Sequence, residues 1–255
     1  MKFKKSLLLL ATLPLFAACD QVDEENRYIP VDKVKAERRV LLEEFTGQFC
    51  VNCPTAHAVI ETLEEQYPED LIVVSIHAGP FGVAAPIGLM QPDGDIYANH
   101  WNIPAYPKGI IDRQSGVLDM GAWLNVIRSE LAQAPALEVD LDATLSADGT
   151  TIDITTDLLP YTSLDGNLQL WVVENQIVSF QQNGDVLQAD YIHNNVYRAS
   201  VNGIWGQPVK LSQNVSQQFD NSIEVNQAWN VDNLYIVGFV YDDAGVQQVN
   251  RCKVM

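Results

Sequence analysis

Cys50 and Cys53, separated by two residues, stand where a strand pattern hands over to a helix pattern, and no other feature restricts the fold so tightly. Before them, residues 39–45 (RVLLEEF) read as a buried strand. After them, Ala56, Val59, Ile60, Leu63 and Tyr67 recur at helical spacing, with Glu61, Glu64 and Glu65 off that face. Residues 71–76 (LIVVSI) give a second buried strand between Pro68 and Gly79. The unit is β-α-β with a dithiol at its first junction. A helix start offers unpaired N–H groups and a partial positive charge, both of which favour a thiolate. Cys50, nearer the loop, is therefore the expected exposed nucleophile. Cys53, one turn in, is the expected resolving thiol of an exchange that passes through a mixed disulfide. Pro54 suits the first turn.

The surroundings temper this chemistry. Val51 and Asn52 bring no cation between the cysteines, and Glu43 and Glu44 lie close in sequence. The expected disulfide is thus relatively stable and fits a reductase or isomerase better than a strong oxidant. The same pair fits a permanent structural disulfide in an oxidising compartment. Haem attachment fails because Pro54, not His, follows Cys53; zinc fails for want of a second cysteine pair. No metal and no cofactor is expected. His57, one helical turn beyond Cys53, reads as a surface or packing residue.

Of the 255 residues, 33 are acidic and 15 basic, a formal charge of −18 that argues against a nucleic-acid partner. The 47% hydrophobic fraction supports folded cores. Lys2, Lys4 and Lys5 precede an apolar run too short for a membrane span, which reads as an export signal over residues 1–18. Its end, Ala17-Ala18-Cys19, resembles the lipobox of bacterial lipoproteins and implies cleavage before Cys19 and lipid attachment to it; the alternative is an ordinary secretory peptide. Residues 19–36, with Asp23, Glu24 and Glu25, read as an acidic tether. That acidic cluster resembles the surface-export signal of some Bacteroidetes lipoproteins.

From Leu137 the pattern changes. LEVDLDATL and TIDITTDLL alternate around a turn at residues 147–150, and further strands are expected at 167–174, 196–201, 208–211, 222–225, 233–241 and 246–254. Seven or so short strands imply an immunoglobulin-like sandwich, with a boundary near Ala134-Pro135. Its candidate features are Trp171, Trp205, Trp229 and Tyr235 as an aromatic face, and His193 with Arg198 as a polar site; core packing and a loop network are the plainer readings. Asp93-Gly94-Asp95 is too short for a calcium loop, and Cys252 reads as a buried thiol, with pairing to Cys50 or Cys53 left open.

LLEEFTGQFCVNC, the helix and strand after it, and AYPKGIID at 105–112 together resemble a thioredoxin-like protein. The resemblance implies that Pro107 is a cis-proline facing the dithiol, that Glu44 is a buried proton-relay carboxylate, and that the stretch around 79–101 is an insertion lining or covering the site. EEFTGQFCVNCP, YPKGIIDR and YIHNNVYR resemble more closely the Omp28-related outer-membrane lipoproteins of Bacteroidetes. The expected architecture is an α/β thioredoxin-like N-terminal domain (37–135) plus an all-β, immunoglobulin-like sandwich C-terminal domain (136–255). The expected protein is lipid-anchored in the cell envelope, bound to the outer membrane through its N-terminal lipid. It exchanges disulfides with envelope proteins through Cys50, Cys53, Pro107 and Glu44. The alternative is a non-enzymatic surface, scaffold or adhesion lipoprotein with a structural disulfide.

Overall fold

The structure is a computed structural model and describes residues 37–255. The signal segment 1–18, the lipid-attachment candidate Cys19 and the tether 19–36 lie outside the described residues.

Strand β1 (Val40–Thr46), helix α1 (Cys53–Gln66) and strand β2 (Leu71–His77) form the β-α-β unit. β1 and β2 are parallel and buried throughout, so neither sequence needs to alternate. The segment after β2 forms a short 3-10 turn at Gly79–Phe81 and helix α2 (Pro92–His100). Strand β3 (Lys108–Ile111) pairs antiparallel with β1, and helix α3 (Met120–Leu131) follows. α1 and α3 set Ala56, Ile60, Trp123 and Ile127 against Val40, Leu42 and Leu71. Trp123 lies directly on β3 at Gly109, where a Cβ would come within 2.5 Å of the indole nitrogen; only glycine permits that approach.

The second half supplies ten strands. They are β4 (Leu137–Leu145), β5 (Thr151–Pro160), β6 (Leu164–Glu174), β7 (Ile177–Asn183), β8 (Val186–His193), β9 (Val196–Ser200), β10 (Gln207–Leu211), β11 (Gln217–Glu224), β12 (Leu234–Asp242) and β13 (Gly245–Lys253). Their arrangement corrects the expected fold class. The described residues do not divide into an α/β thioredoxin-like domain and a separate immunoglobulin-like sandwich; the protein is mostly β, built on one mixed sheet. Its order is β13-β12-β6-β9-β2-β1-β3, with β10 also paired to β6. The two halves join at the edge of β2, where Ser75 pairs with Val196 and the Ser75 amide donates to the Asn195 carbonyl at 2.6 Å. The physical reason for the miss is that alternation reports which face a strand buries, not which sheet it enters.

One face of the main sheet carries a core through both halves, including Leu41, Val74, Tyr197, Trp171, Val237 and Phe239, with Tyr97 of α2 packed on it. The other face is covered in two ways. Helices α1 and α3 cover the strands of the first half, and the three-stranded sheet β11-β5-β4 covers β6 and β12. β7 and β8 form a hairpin sheet of their own.

Within the through-running core sits a buried ion pair. Asp112 and Arg113, just past β3, adopt left-handed backbone angles (φ 49° and 57°), and the Arg113 guanidinium lies 2.9 Å from Glu43 of β1. It also sits 4.4 Å from the Tyr241 ring centre and 4.8 Å from that of Phe239, both on β12. The pair therefore links the β1–β3 edge to a strand of the second half. Arg113→Ala is expected to destabilise the protein by about 3–5 kcal/mol, because Glu43 keeps a buried charge without its partner. The double variant Glu43→Leu/Arg113→Met should lose much less; denaturant unfolding of both checks this.

Candidate functional site

The loop between β1 and α1 is held tightly. Gly47 has no room for a side chain, since a Cβ would lie 2.5 Å from the Phe81 carbonyl carbon. Phe49 N donates to Phe81 O at 2.9 Å, and Cys50 N to Gly47 O at 3.0 Å. Cys50 and Cys53 are joined as a disulfide at the start of α1. Cys252 is a free thiol on β13, pushed up to about 12 by burial, and takes no part in that pair.

The sulfur-bearing residues are not exposed. Cys50 is 2% accessible and Cys53 0%. The cover is the β7–β8 hairpin. Gln48, buried in the cysteine loop, donates to Ser179 Oγ and Phe180 O of β7 and accepts from Leu89 N. Gln181 of β7, also buried, donates back to Gly47 O and Cys50 O at 3.2 and 3.1 Å. The Gln182 amide donates to Gln48 O at 2.7 Å, and the Phe49 and Phe180 rings meet at 5.5 Å. The segment around 79–101 packs beside the loop through Phe81 and Leu89, but the hairpin lies over it.

Glu44 is fully buried on the α1 side of β1, 3.7 Å from His57 Nε2. Neither of its oxygens makes a hydrogen bond of ordinary geometry. Burial pushes its carboxyl up to about 8; the nearby Ser75 and Thr46 hydroxyls only temper this. His57 bridges Thr46 Oγ1 (3.0 Å) and the Tyr191 hydroxyl of β8 (2.8 Å). Burial, then the neighbouring His193, depress it to about 4. His77 lies well below the usual range and His193 at about 4, in both cases through burial first. Between α1, β2 and β8 lies a cavity of about 500 Å³ whose lining includes His57, Ser75, His77, Tyr191, His193 and Asn195. Among the described residues, no three His, Cys, Asp or Glu side chains are placed to hold a metal ion.

Of the residues singled out in the sequence, the structure joins Cys50 to Cys53 and sets Glu44 against His57 of the helix that Cys53 opens. The Tyr106–Pro107 peptide is cis, and Pro107 directly precedes Lys108, the partner of Phe45 at the end of β1. Its link to the cysteine loop runs through Tyr106, whose ring lies 6.0 Å from that of Phe81. His193 and Arg198 do not form one site: His193 faces His77, and Arg198 pairs with Glu174 at 3.3 Å. Trp171 is core, Asp93 accepts from the Tyr197 hydroxyl, and Asp95 accepts from Gly79 N. Sequence reasoning missed the hairpin and His77. The hairpin carried a signal, the Gly184-Asp185 dipeptide as a two-residue turn between two runs of strand residues.

A family model described as Outer membrane protein Omp28 matches residues 94–255. No curated protein matches the chain. Among solved structures, HBP35 of Porphyromonas gingivalis aligns with a TM-score of 0.71 at 17% identity, covering 87% of this chain and 77% of that one. A protein from Agrobacterium tumefaciens aligns at 0.55 and 10% identity, over 86% and 95%. At such identities the likeness concerns fold alone. A domain of the outer membrane lipoprotein Omp28 from Porphyromonas gingivalis, 20% identical, covers 47% of this chain and 88% of its own, with a TM-score of 0.35.

Glu44 gives the site a pH signature. Its folded pKa of about 8 stands above the ordinary 4.5, so its favourable contribution is complete below about pH 4.5 and is lost as pH rises through 8. Glu44→Gln should remove that slope. Thermal melts are expected to show the variant close to wild type at pH 4.5 and more stable at pH 9, by on the order of 3 kcal/mol.

Proposed function

The chain belongs to the Omp28 outer membrane protein family, and on that footing we propose that it is a lipid-anchored envelope protein that works by binding, as a surface, scaffold or adhesion module. In this reading Cys50–Cys53 is a structural crosslink, and Cys19 carries the lipid that holds the protein to the outer membrane. Among the described residues no helix is long and apolar enough to cross a membrane, which fits attachment through a lipid. The observation that carries the reading is the burial of both cysteines beneath a hairpin clamped by Gln48 and Gln181. A visiting thiolate must approach a disulfide sulfur along an open path, and here the path is filled by protein.

A second reading, thiol–disulfide exchange with envelope protein thiols or disulfides, is favoured by one observation. Glu44 is a buried, proton-bearing carboxyl facing His57 of the helix that begins at Cys53, at a cost to stability that a plain crosslink does not require. In that reading Cys50 attacks, Cys53 resolves, Glu44 relays protons and Pro107 shapes the groove for the substrate peptide.

Insulin reduction by dithiothreitol separates the two. For a structural crosslink, wild type and Cys50→Ser both leave the rate at background, while Cys50→Ser lowers stability by about 2 kcal/mol, the scale for so short a loop. Acceleration by wild type that disappears in Cys50→Ser establishes exchange instead. Separately, Cys19→Ser expressed with its signal segment should move the protein from the detergent-rich to the aqueous phase on Triton X-114 partition. If it stays in the detergent phase, Cys19 is not the anchor.

A further inference from the structure

The hairpin that covers the disulfide rests on an unusual footing. It pairs with no strand of the main sheet. On its inner side, His193 of β8 meets His77 of β2 with ring centres 5.4 Å apart and His57 of α1 at 6.4 Å. Three imidazoles from three elements thus converge at the seam between hairpin and body, and the Nδ1 atoms of His77 and His193 are buried without a hydrogen-bond partner. Side chains of this kind pack well when neutral. Protonation would set like charges against one another along the lining of the cavity between α1, β2 and β8.

The surroundings offer little compensation. From β1, Glu44 lies 3.7 Å from His57 but is itself uncharged below about pH 8, and Thr46 contributes a hydroxyl. From β2 comes Ser75, and from β8 the Tyr191 hydroxyl and the more exposed Asp190. From β7 comes the Phe180 carbonyl, 3.3 Å from His193 Nε2. Glu61 and Glu64 of α1 line the same cavity as the histidines, with Glu64 engaged by Asn195 and 4.0 Å from Arg251. Arg198 of β9, paired with Glu174 of β6, adds positive charge toward His77.

We propose that the β7–β8 hairpin is an acid-released lid, shut over the Cys50–Cys53 disulfide while His57, His77 and His193 are neutral and released when they take up protons. The proposal goes beyond the binding reading and depends on the cover, not on whether the disulfide exchanges. The sign follows from the direction of the shifts. Closed, His57 and His193 titrate near 4 and burial holds His77 well below its ordinary value; released, an imidazole titrates near 6.5. The closed lid is therefore fully favoured above about pH 6.5 and loses that advantage as pH falls toward 4. Each histidine freed raises the opening equilibrium on the order of a hundredfold between pH 7.5 and 4.5.

The test measures how fast a phosphine reductant, which acts in acid, cleaves Cys50–Cys53 in the full chain. The rate is normalised at each pH to a small peptide disulfide, and hydrogen exchange is followed in parallel. The normalised rate should climb on the order of a hundredfold or more from pH 7.5 to 4.5. Protection should fall in β7 and β8 while β6 and β12 keep theirs. His57→Gln/His193→Gln should lose most of this response. A flat wild-type rate overturns the proposal, as does a rise in which β6 and β12 open together with the hairpin, or a double variant that keeps the full response. If the variant does not fold, the wild-type exchange profile alone decides.

Discussion

A strand buried on both faces cannot leave its edge groups unpaired, because an unsatisfied backbone donor or acceptor away from water costs about as much as a lost hydrogen bond. β2 is such a strand, buried from Leu71 to His77 with β1 on one side. On its other side β9 meets it at Ser75, through Asn195 and Val196. The remaining layout follows from that junction. β9 also pairs with β6, so the second half extends the sheet of the first. The chain entering β9 must arrive from His193, which brings the end of β8 against His77 at the end of β2. The hairpin then has nowhere to lie except over the loop that leaves β1, which holds the cysteines.

The same junction explains why ionisable groups accumulate where the sequence shows scattered residues. Glu44, His57, His77 and His193 come from β1, α1, β2 and β8 and share one desolvated seam. In water each would titrate near its ordinary value; here burial drives the carboxyl up and the imidazoles down, so all four are uncharged near neutral pH. The seam contrasts with Glu43–Arg113, on the opposite face of β1, where buried charges are kept because each has a partner 2.9 Å away. A packed interior meets buried ionisable groups in these two ways, by pairing them or by discharging them. Only the second way leaves the interface sensitive to pH within a mild range.

Legibility in the sequence followed locality. RVLLEEF, the helix after Cys53 and LIVVSI were readable because each pattern is complete within a dozen residues. LEVDLDATL was readable for the same reason and became β4, with alternate residues facing the second core. The cis bond at Pro107, just before β3, is what the resemblance of AYPKGIID implied rather than a reading of residue pattern. The sheet's continuity was not readable, since the Ser75–Val196 junction joins residues far apart in sequence and no local period encodes it. The histidine cluster was hidden in the same way. His57 taken alone reads as a surface residue, and only the arrival of Tyr191 and His193 buries it. The place of Cys50 at the loop implies exposure, but the β7–β8 hairpin lies over that loop and Cys50 is buried.

Burial of the disulfide and chemical use of it pull in opposite directions, and the hairpin sets the exchange rate between them. Its polar hold on the loop consists of the Gln48, Gln181 and Gln182 hydrogen bonds and the Tyr191–His57 contact. At a net of about 1 kcal/mol for each bond, a lid of this kind opens on its own on the order of once in a thousand molecules or less. A reaction that needs the open form is slowed by that same factor. Under the proposed lid, access to Cys50 and Cys53 depends on how much of the population has lifted the hairpin. That fraction is governed by residues such as Gln181, which lies more than a hundred positions from the sulfurs in sequence and donates to the Cys50 carbonyl in the fold.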